Sequence, residues 1–213
     1  HNHKENDILI GGSPRHDNFF NYTSSKSENG IILLATTGTM FLSSDSCITN
    51  SQIKYDDYIR EIYRIVKSLP DKKLVIKSHP SQILKKFVKD LIKDIDPSIE
   101  LVENSTNQKL FNNCELLITF NNSTTTLEAM SLNTPVISLQ TENWAKEDDI
   151  AQSDAIISIS KITDCEDAIK KILYDAKFKK SLLEKSQLFL KNYMSNPGNS
   201  SSSVVKLLKN LIN

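Results

Sequence analysis

The chain has 213 residues, 38% of them hydrophobic, a length and composition that fit one folded domain with extra terminal segments. Its 26 Lys and Arg balance 26 Asp and Glu, so no global field draws in nucleic acid or an anionic membrane, and generic nucleic-acid binding is disfavoured. Cys47, Cys114 and Cys165 lie far apart with no CxxC pair, a pattern of reduced thiols in a cytosolic protein rather than of a metal knot or disulfide framework.

The polar start from His1 to Asp7 lacks the apolar core of a signal peptide, and no stretch approaches the roughly 20 apolar residues of a membrane span. A soluble, unexported chain is expected. Ile8-Leu9-Ile10 leads into Gly11-Gly12-Ser13-Pro14-Arg15-His16-Asp17, and a polar, Ser-rich linker follows from Asn21 to Asn29. The domain proper is expected to begin at Gly30. Ile31 to Thr36 is a short continuous apolar run ending in polar residues, the pattern of a strand buried on both faces. Tyr58, Ile59, Ile62, Tyr63, Ile65, Val66 and Leu69 recur at helical spacing, which predicts a helix from Tyr55 to Leu69 that Pro70-Asp71 stops.

A strand follows at Leu74 to Ser78, then a helix near Ser81 to Asp94. Lys85, Lys86, Lys89 and Lys93 on that helix alternate with Ile83, Leu84, Phe87, Val88, Leu91 and Ile92, so they form its solvated side rather than a nucleic-acid patch. Next come a strand at Ile99 to Glu103, a short helix near Gln108 to Asn112 and a strand at Leu116 to Phe120. A helix near Ser123 to Leu132, a strand at Pro135 to Leu139, a weak strand at Ala155 to Ser158 and terminal helices complete the chain.

Strands that are nearly unbroken apolar runs, alternating with helices, imply an α/β fold: a Rossmann-like, doubly wound parallel sheet of about six strands with helices on both faces. With strand order 3-2-1-4-5-6, ligands bind in the crevice beyond the carboxyl ends of strands one and four. The loops meeting there are Thr36-Thr37-Gly38-Thr39, His79-Pro80, Asn121-Asn122-Ser123-Thr124 and the chain from Gln140 onward.

At Leu116 to Met130 an apolar strand runs directly into a hydroxyl-rich helix start. Open amides, the macrodipole and the hydroxyls of Ser123 and Thr124 suit a phosphate there. Glu128, one turn further, can accept hydrogen bonds from ribose hydroxyls. The same residues also read as an N-cap followed by a solvated or capping carboxylate. In Lys77-Ser78-His79-Pro80 a buried strand ends on an imidazole able to donate to a phosphate or act as an acid; it reads equally as a surface histidine before a proline-started helix. Thr37-Gly38-Thr39 fits a donor-contacting loop or a plain strand-ending turn, and Gln140 lies where a base or sugar would be bordered. His16 and His79 lack the spaced partners of a metal site, so no metal is expected.

Gly12-Ser13-Pro14-Arg15-His16-Asp17, Lys77-Ser78-His79-Pro80 and Asn122-Ser123-Thr124-x-x-x-Glu128-Ala129, in this order, resemble the carboxyl-terminal, donor-binding domain of GT-B glycosyltransferases. The resemblance is to the capsule-polysaccharide and CDP-glycerol glycerophosphotransferase kind, with kinship to UDP-N-acetylglucosamine 2-epimerases, and it covers nearly the whole chain. Asn133-Thr134-Pro135-Val136-Ile137 and Gly198-Asn199-Ser200-Ser201 extend it, with Asn133 standing where glycine is usual. Asparagine tolerates a left-handed turn, so the departure is permitted.

The resemblance implies that residues 1–29 are an interdomain strand and linker from an amino-terminal acceptor domain that this sequence lacks, and that residues 30–213 bind the donor. It implies that His79 contacts donor phosphate and assists leaving-group departure, that Ser123 and Thr124 hold phosphates, and that Glu128 contacts ribose. Thr37, Gly38, Asn122 and Gln140 complete the expected set. The expected partner is a nucleotide sugar or CDP-polyol, UDP- or CDP-linked, with no other cofactor. The expected activity is glycosyl or polyol-phosphate transfer in surface polysaccharide synthesis, at the cytoplasmic side of a membrane, with this portion inactive alone. A 2-epimerase-like isomerase and a noncatalytic nucleotide-sugar-binding domain are the alternatives.

Overall fold

The apolar runs become the strands of one sheet, and the sheet's two faces become two separate cores. A computed structural model describes residues 8–23, 29–37, 48–121, 123–141 and 144–212. A 3-10 turn at Pro14–His16 and helix α1 (Asp17–Phe20) precede β1 (Ile31–Ala35), α2 (Ile48–Ser68), β2 (Lys73–Lys77), α3 (Gln82–Ile95) and β3 (Glu100–Val102). Then come α4 (Asn107–Asn113), β4 (Leu116–Phe120), α5 (Thr124–Ser131) and β5 (Val136–Leu139). A 3-10 turn, α6 (Asp149–Gln152) and β6 (Ile157–Ile159) lead to α7 (Cys165–Tyr174), α8 (Ala176–Tyr193) and α9 (Ser200–Ile212).

The described strands pair in parallel in the order β3-β2-β1-β4-β5-β6, as the sequence predicts. Because side chains alternate along a strand, one continuous apolar run feeds both faces. Ile32 and Leu34 of β1, Ile76 of β2 and Ile118 and Phe120 of β4 pack against α2, α3 and α7. Leu33 and Ala35, with Val75, Leu117 and Val136, pack instead against Phe19 of α1, Phe111 of α4 and Leu127, Ala129 and Met130 of α5. Helix α8 serves both layers, with Leu182 in the first and Leu190 in the second.

Helix α2 begins at Ile48, earlier than the Tyr55 expected from apolar spacing. Residues 49–52, Thr-Asn-Ser-Gln, are all polar, so periodicity carries no signal through that extension. Turns follow backbone chemistry more closely. Asn133 adopts φ 53°, the left-handed turn permitted to asparagine between α5 and β5. At the foot of β1, Gly30 has φ 69°, and a Cβ there would lie 2.1 Å from the carbonyl oxygen of Asp71. Its N–H donates to Glu115 Oε1 at 2.9 Å, and Lys72 Nζ holds the other oxygen of that carboxylate at 2.7 Å.

Residues 8–13 take no regular secondary structure, and Ile8, Leu9 and Ile10 are exposed. From Gly12 onward the amino-terminal segment lies against the end of the chain. Gly12, with φ 89°, sits so close to Ser195 that a Cβ would be 2.3 Å from its carbonyl oxygen. The amides of Ser200 and Ser201 donate to the two carboxylate oxygens of Asp17 at 2.9 and 2.7 Å, capping α9 from 183 residues away. No described helix is long and apolar enough to cross a membrane.

Two stability predictions follow from these contacts. Gly30→Ala combines a left-handed backbone with a clash against Asp71, so it is expected to cost about 2 kcal/mol; a urea midpoint equal to wild type would contradict this. The hydroxyl and amide of Ser201, then Ser200, hold the Asp17 carboxyl at about 2, below its ordinary 3.8. A depressed acid stabilises the fold above its unfolded value, so protection of α9 amides from hydrogen exchange should fade as pH drops from about 4 to 2. Asp17→Asn should remove that acid dependence.

Candidate functional site

β1 and β4 are neighbours, but the chain leaves β1 for α2 in the first layer and β4 for α5 in the second. The chain therefore turns to opposite faces after these two strands, the topology that places a crevice at the carboxyl edge of the sheet. Thr36 and Thr37 follow β1 into this edge, Ser78 and His79 follow β2, and Asn121 and Ser123 follow β4.

His79 is fixed through backbone and ring. Its N–H donates to Thr36 Oγ1 at 2.8 Å, and the Ser81 N–H donates to its Nδ1 at 3.2 Å. An Nδ1 that accepts leaves the proton of the neutral ring on Nε2. Burial first, and then the charge of Lys77, push the imidazole below its ordinary value of 6.5, so at neutral pH His79 is an uncharged N–H donor. Lys77 is half-buried at the end of β2; burial lowers its pKa, and the nearby Glu128 carboxylate opposes that shift.

The helix start is built by short polar contacts. Ser123 is the N-cap of α5, its Oγ accepting from the Thr125 N–H at 3.4 Å and sharing a 2.7 Å hydrogen bond with Thr125 Oγ1. Asn121 makes the turn possible at φ 51°. Its Oδ1 accepts from the Thr141 N–H at 2.9 Å, and its Nδ2 donates to Thr141 Oγ1 at 2.9 Å, which ties the loops after β4 and β5 together. Below them Ser138 Oγ donates to the Asn121 carbonyl at 2.8 Å.

Glu128 lies one turn into α5 and is 2% exposed. Its Oε1 accepts from Arg15 Nη2 at 3.1 Å and its Oε2 from Asn107 Nδ2. A buried carboxylate needs such partners, because desolvation would otherwise force it to neutralise. Arg15 is itself 65% exposed, so the pair is closed on one side and open on the other. His16 beside it is buried and desolvated, its Nδ1 hydrogen-bonded to Ser13 Oγ at 2.7 Å.

The structure thus brings His79, Ser123, Thr124 and Glu128 to one edge. Thr37 is there too, but buried. Gln140 sits beneath the loops at 3% exposure rather than on the crevice surface, its Nε2 donating to Ser138 Oγ at 3.0 Å. Gly38 and Asn122 lie outside the described residues. Sequence reading did not select Lys77, Arg15, Asn107 or Asn121 as site residues. Lys77 and Arg15 stand inside quoted motifs and Asn121 beside one, while Asn107 carries no motif signal because only the packing of α4 on α5 brings it to Glu128. A recess of about 790 Å³ lined by Lys72, Glu115, Asn133, Leu183 and Gln187 lies at the opposite edge of the sheet, away from these groups. Among the described residues, no group of three His, Cys, Asp or Glu is placed to hold a metal ion.

Residues 1–155 match the model of the LIC12162 family transferase. The chain belongs to that transferase family. No curated protein matches the sequence. Among solved structures, it is similar to S. aureus MnaA in a UDP co-structure, with TM-score 0.65, 17% identity, and 99% of this chain matched to 55% of that one. It is similar to a UDP-N-acetylglucosamine 2-epimerase, with TM-score 0.59, 18% identity and 97% of this chain against 52% of that one. It is also similar to the spinosyn rhamnosyltransferase SpnG, with TM-score 0.58, 18% identity and 89% against 46%. At these identities the likeness is one of fold, the Rossmann-like half of a GT-B architecture. The chain spans about half the length of each.

The tautomer and charge of His79 are directly measurable. Nitrogen-detected NMR of the imidazole is expected to show a neutral ring with the proton on Nε2 and a titration midpoint below 6.5, moving upward in Lys77→Met as the neighbouring charge is removed. A midpoint above 6.5 in the wild type would contradict the burial argument.

Proposed function

We propose that this chain binds the nucleotide-activated donor of a glycosyl or polyol-phosphate transfer. The observation that carries the reading is the start of α5 at the carboxyl edge, with the Ser123 and Thr124 hydroxyls beside it, His79 across the crevice and Glu128 one turn along the helix. Amides and dipole at such a helix start favour phosphate oxygens. The neutral His79 Nε2–H donates a hydrogen bond to a phosphate oxygen as negative charge builds on the departing nucleotide. Fixed dipoles and donors then supply stabilisation without a metal, and the donor, UDP- or CDP-linked, needs no further cofactor.

Glu128 enters this scheme through exchange of partners. Both of its oxygens are engaged, by Asn107 on the buried side and by Arg15 on the open side. Arg15 is the partner that solvent can replace, and its release frees one carboxylate oxygen for a ribose hydroxyl while Asn107 keeps the side chain in place. The membership in a transferase family and the fold shared with a UDP co-structure and a rhamnosyltransferase support this reading.

In the fuller reading, residues 1–29 cross from an acceptor domain that supplies the base, the product is a capsule-like surface polysaccharide made at the cytoplasmic face of a membrane, and this portion alone binds without efficient turnover. The fold shared with a 2-epimerase keeps an isomerase as the second reading. Isomerisation requires several acid and base groups around the sugar, whereas the described crevice presents His79, Lys77 and a Glu128 already held by two partners.

Calorimetric titration of the chain with UDP, CDP, CMP and GDP tests the proposal. One nucleotide is expected to bind, and His79→Ala and Glu128→Ala are each expected to weaken it by roughly tenfold, the worth of a charge-assisted hydrogen bond. Affinity unchanged in both variants would remove this crevice as the nucleotide site.

A further inference from the structure

The half-buried side chain of Lys77 is not accounted for by contacts within the fold. It stands at the end of β2, two residues before His79, and it shares electrostatic contact with both His79 and Glu128. Among the described residues, however, it makes no side-chain hydrogen bond or ion pair. Glu128 does not fill that role, since Arg15 and Asn107 occupy its two oxygens. Partial burial already lowers the pKa of this lysine, and an anion brought beside its ammonium offsets the partial loss of hydration, so an unpaired lysine facing the crevice is poised for an anion.

The surrounding sheet face has the same incomplete character. Across the register, Lys77 of β2 pairs with Ala35 of β1, Ala35 pairs with Thr119 of β4, and Thr119 pairs with Ser138 of β5. Ala35 contributes only a methyl group between the two polar side chains. Thr119 is fully buried and its Oγ1 has no partner among the described residues. Position matters as well as charge. β2 and β4 are two strand spacings apart, about 10 Å, so one phosphate seated on the start of α5 stays on the β4 side. A second phosphate extends the anion toward β2, where the flexible lysine stem can meet it.

We infer that Lys77 binds the second phosphate of a nucleoside diphosphate, making the crevice selective for diphosphate-linked over monophosphate-linked donors. The inference rests on the donor-binding reading above and assigns to Lys77 a share in binding separate from that of His79. His79 supplies an uncharged N–H, and Lys77 supplies the full positive charge that suits the diphosphate leaving group of a glycosyl transfer.

The test compares UDP with UMP and CDP with CMP by calorimetry, on wild type, Lys77→Met and Lys77→Arg. Met keeps the apolar stem and removes the charge; Arg keeps the charge. For the base that wild type binds, Lys77→Met is expected to weaken the diphosphate roughly 10- to 100-fold and the monophosphate far less, so the preference collapses. Lys77→Arg should retain most of it. If Lys77→Met weakens both nucleotides equally, or leaves the diphosphate unaffected, the assignment of Lys77 is overturned while nucleotide binding at the crevice stands. If wild type binds none of the four, both the inference and the reading beneath it fail. The urea midpoint of Lys77→Met identifies a variant that has merely lost its fold, and Lys77→Gln then provides the charge-free comparison.

Discussion

Everything at the candidate site depends on one topological constraint, the reversal between β1 and β4. A parallel sheet has to be covered on both faces, because each of its strands is apolar on both sides. The chain meets this requirement by winding α2 and α3 over one face and α4 and α5 over the other. The reversal is therefore a consequence of burying the sheet, and the crevice comes with it. Among the described residues, polar groups at this edge are held from below by Thr36, Asn121 and Ser138. Those three hydrogen bonds convert an opening imposed by packing into an arrangement of fixed donors and acceptors.

Preorganisation is strongest where burial is deepest. Glu128 is almost completely enclosed yet keeps two partners, one from α4 and one from the amino-terminal segment. Its orientation is set before any ligand arrives, which lowers the entropy lost on binding. At the helix start the Ser123 hydroxyl is shared between the amide and the hydroxyl of Thr125. The edge thus combines a doubly held carboxylate with a capped helix start.

The architecture was legible in the sequence because its signals are local. Ile31 to Thr36 and Leu116 to Phe120 are apolar runs that only a buried strand explains, and Asn133 announces a left-handed turn through its own side-chain chemistry. Candidate residues at strand ends were legible for the same reason: position along a parallel strand fixes the edge on which a residue emerges. What escaped depends on contacts between distant elements. Asn107 meets Glu128 only after α4 docks on α5, and Gln140 is drawn beneath the loops by Ser138, a partner two residues away whose orientation follows strand pairing. The early start of α2 escaped for a different reason, since a run of polar residues carries no hydrophobic period.

The segment around Pro14 to Asp17 links these two levels of organisation. Arg15 reaches Glu128 at the crevice, and Asp17, two residues later, caps α9 at the far end of the chain. Both contacts are made from one short turn that begins with a proline, whose ring fixes φ at the first position. Helix α9 adds little apolar burial of its own: Val205, Leu208 and Leu211 remain exposed along one side. Its place is set largely by the Asp17 carboxylate and by the close approach of Gly11 to Val204 and Leu207, where a single added methyl would collide. The same short turn thus touches both the final helix and the carboxylate at the crevice.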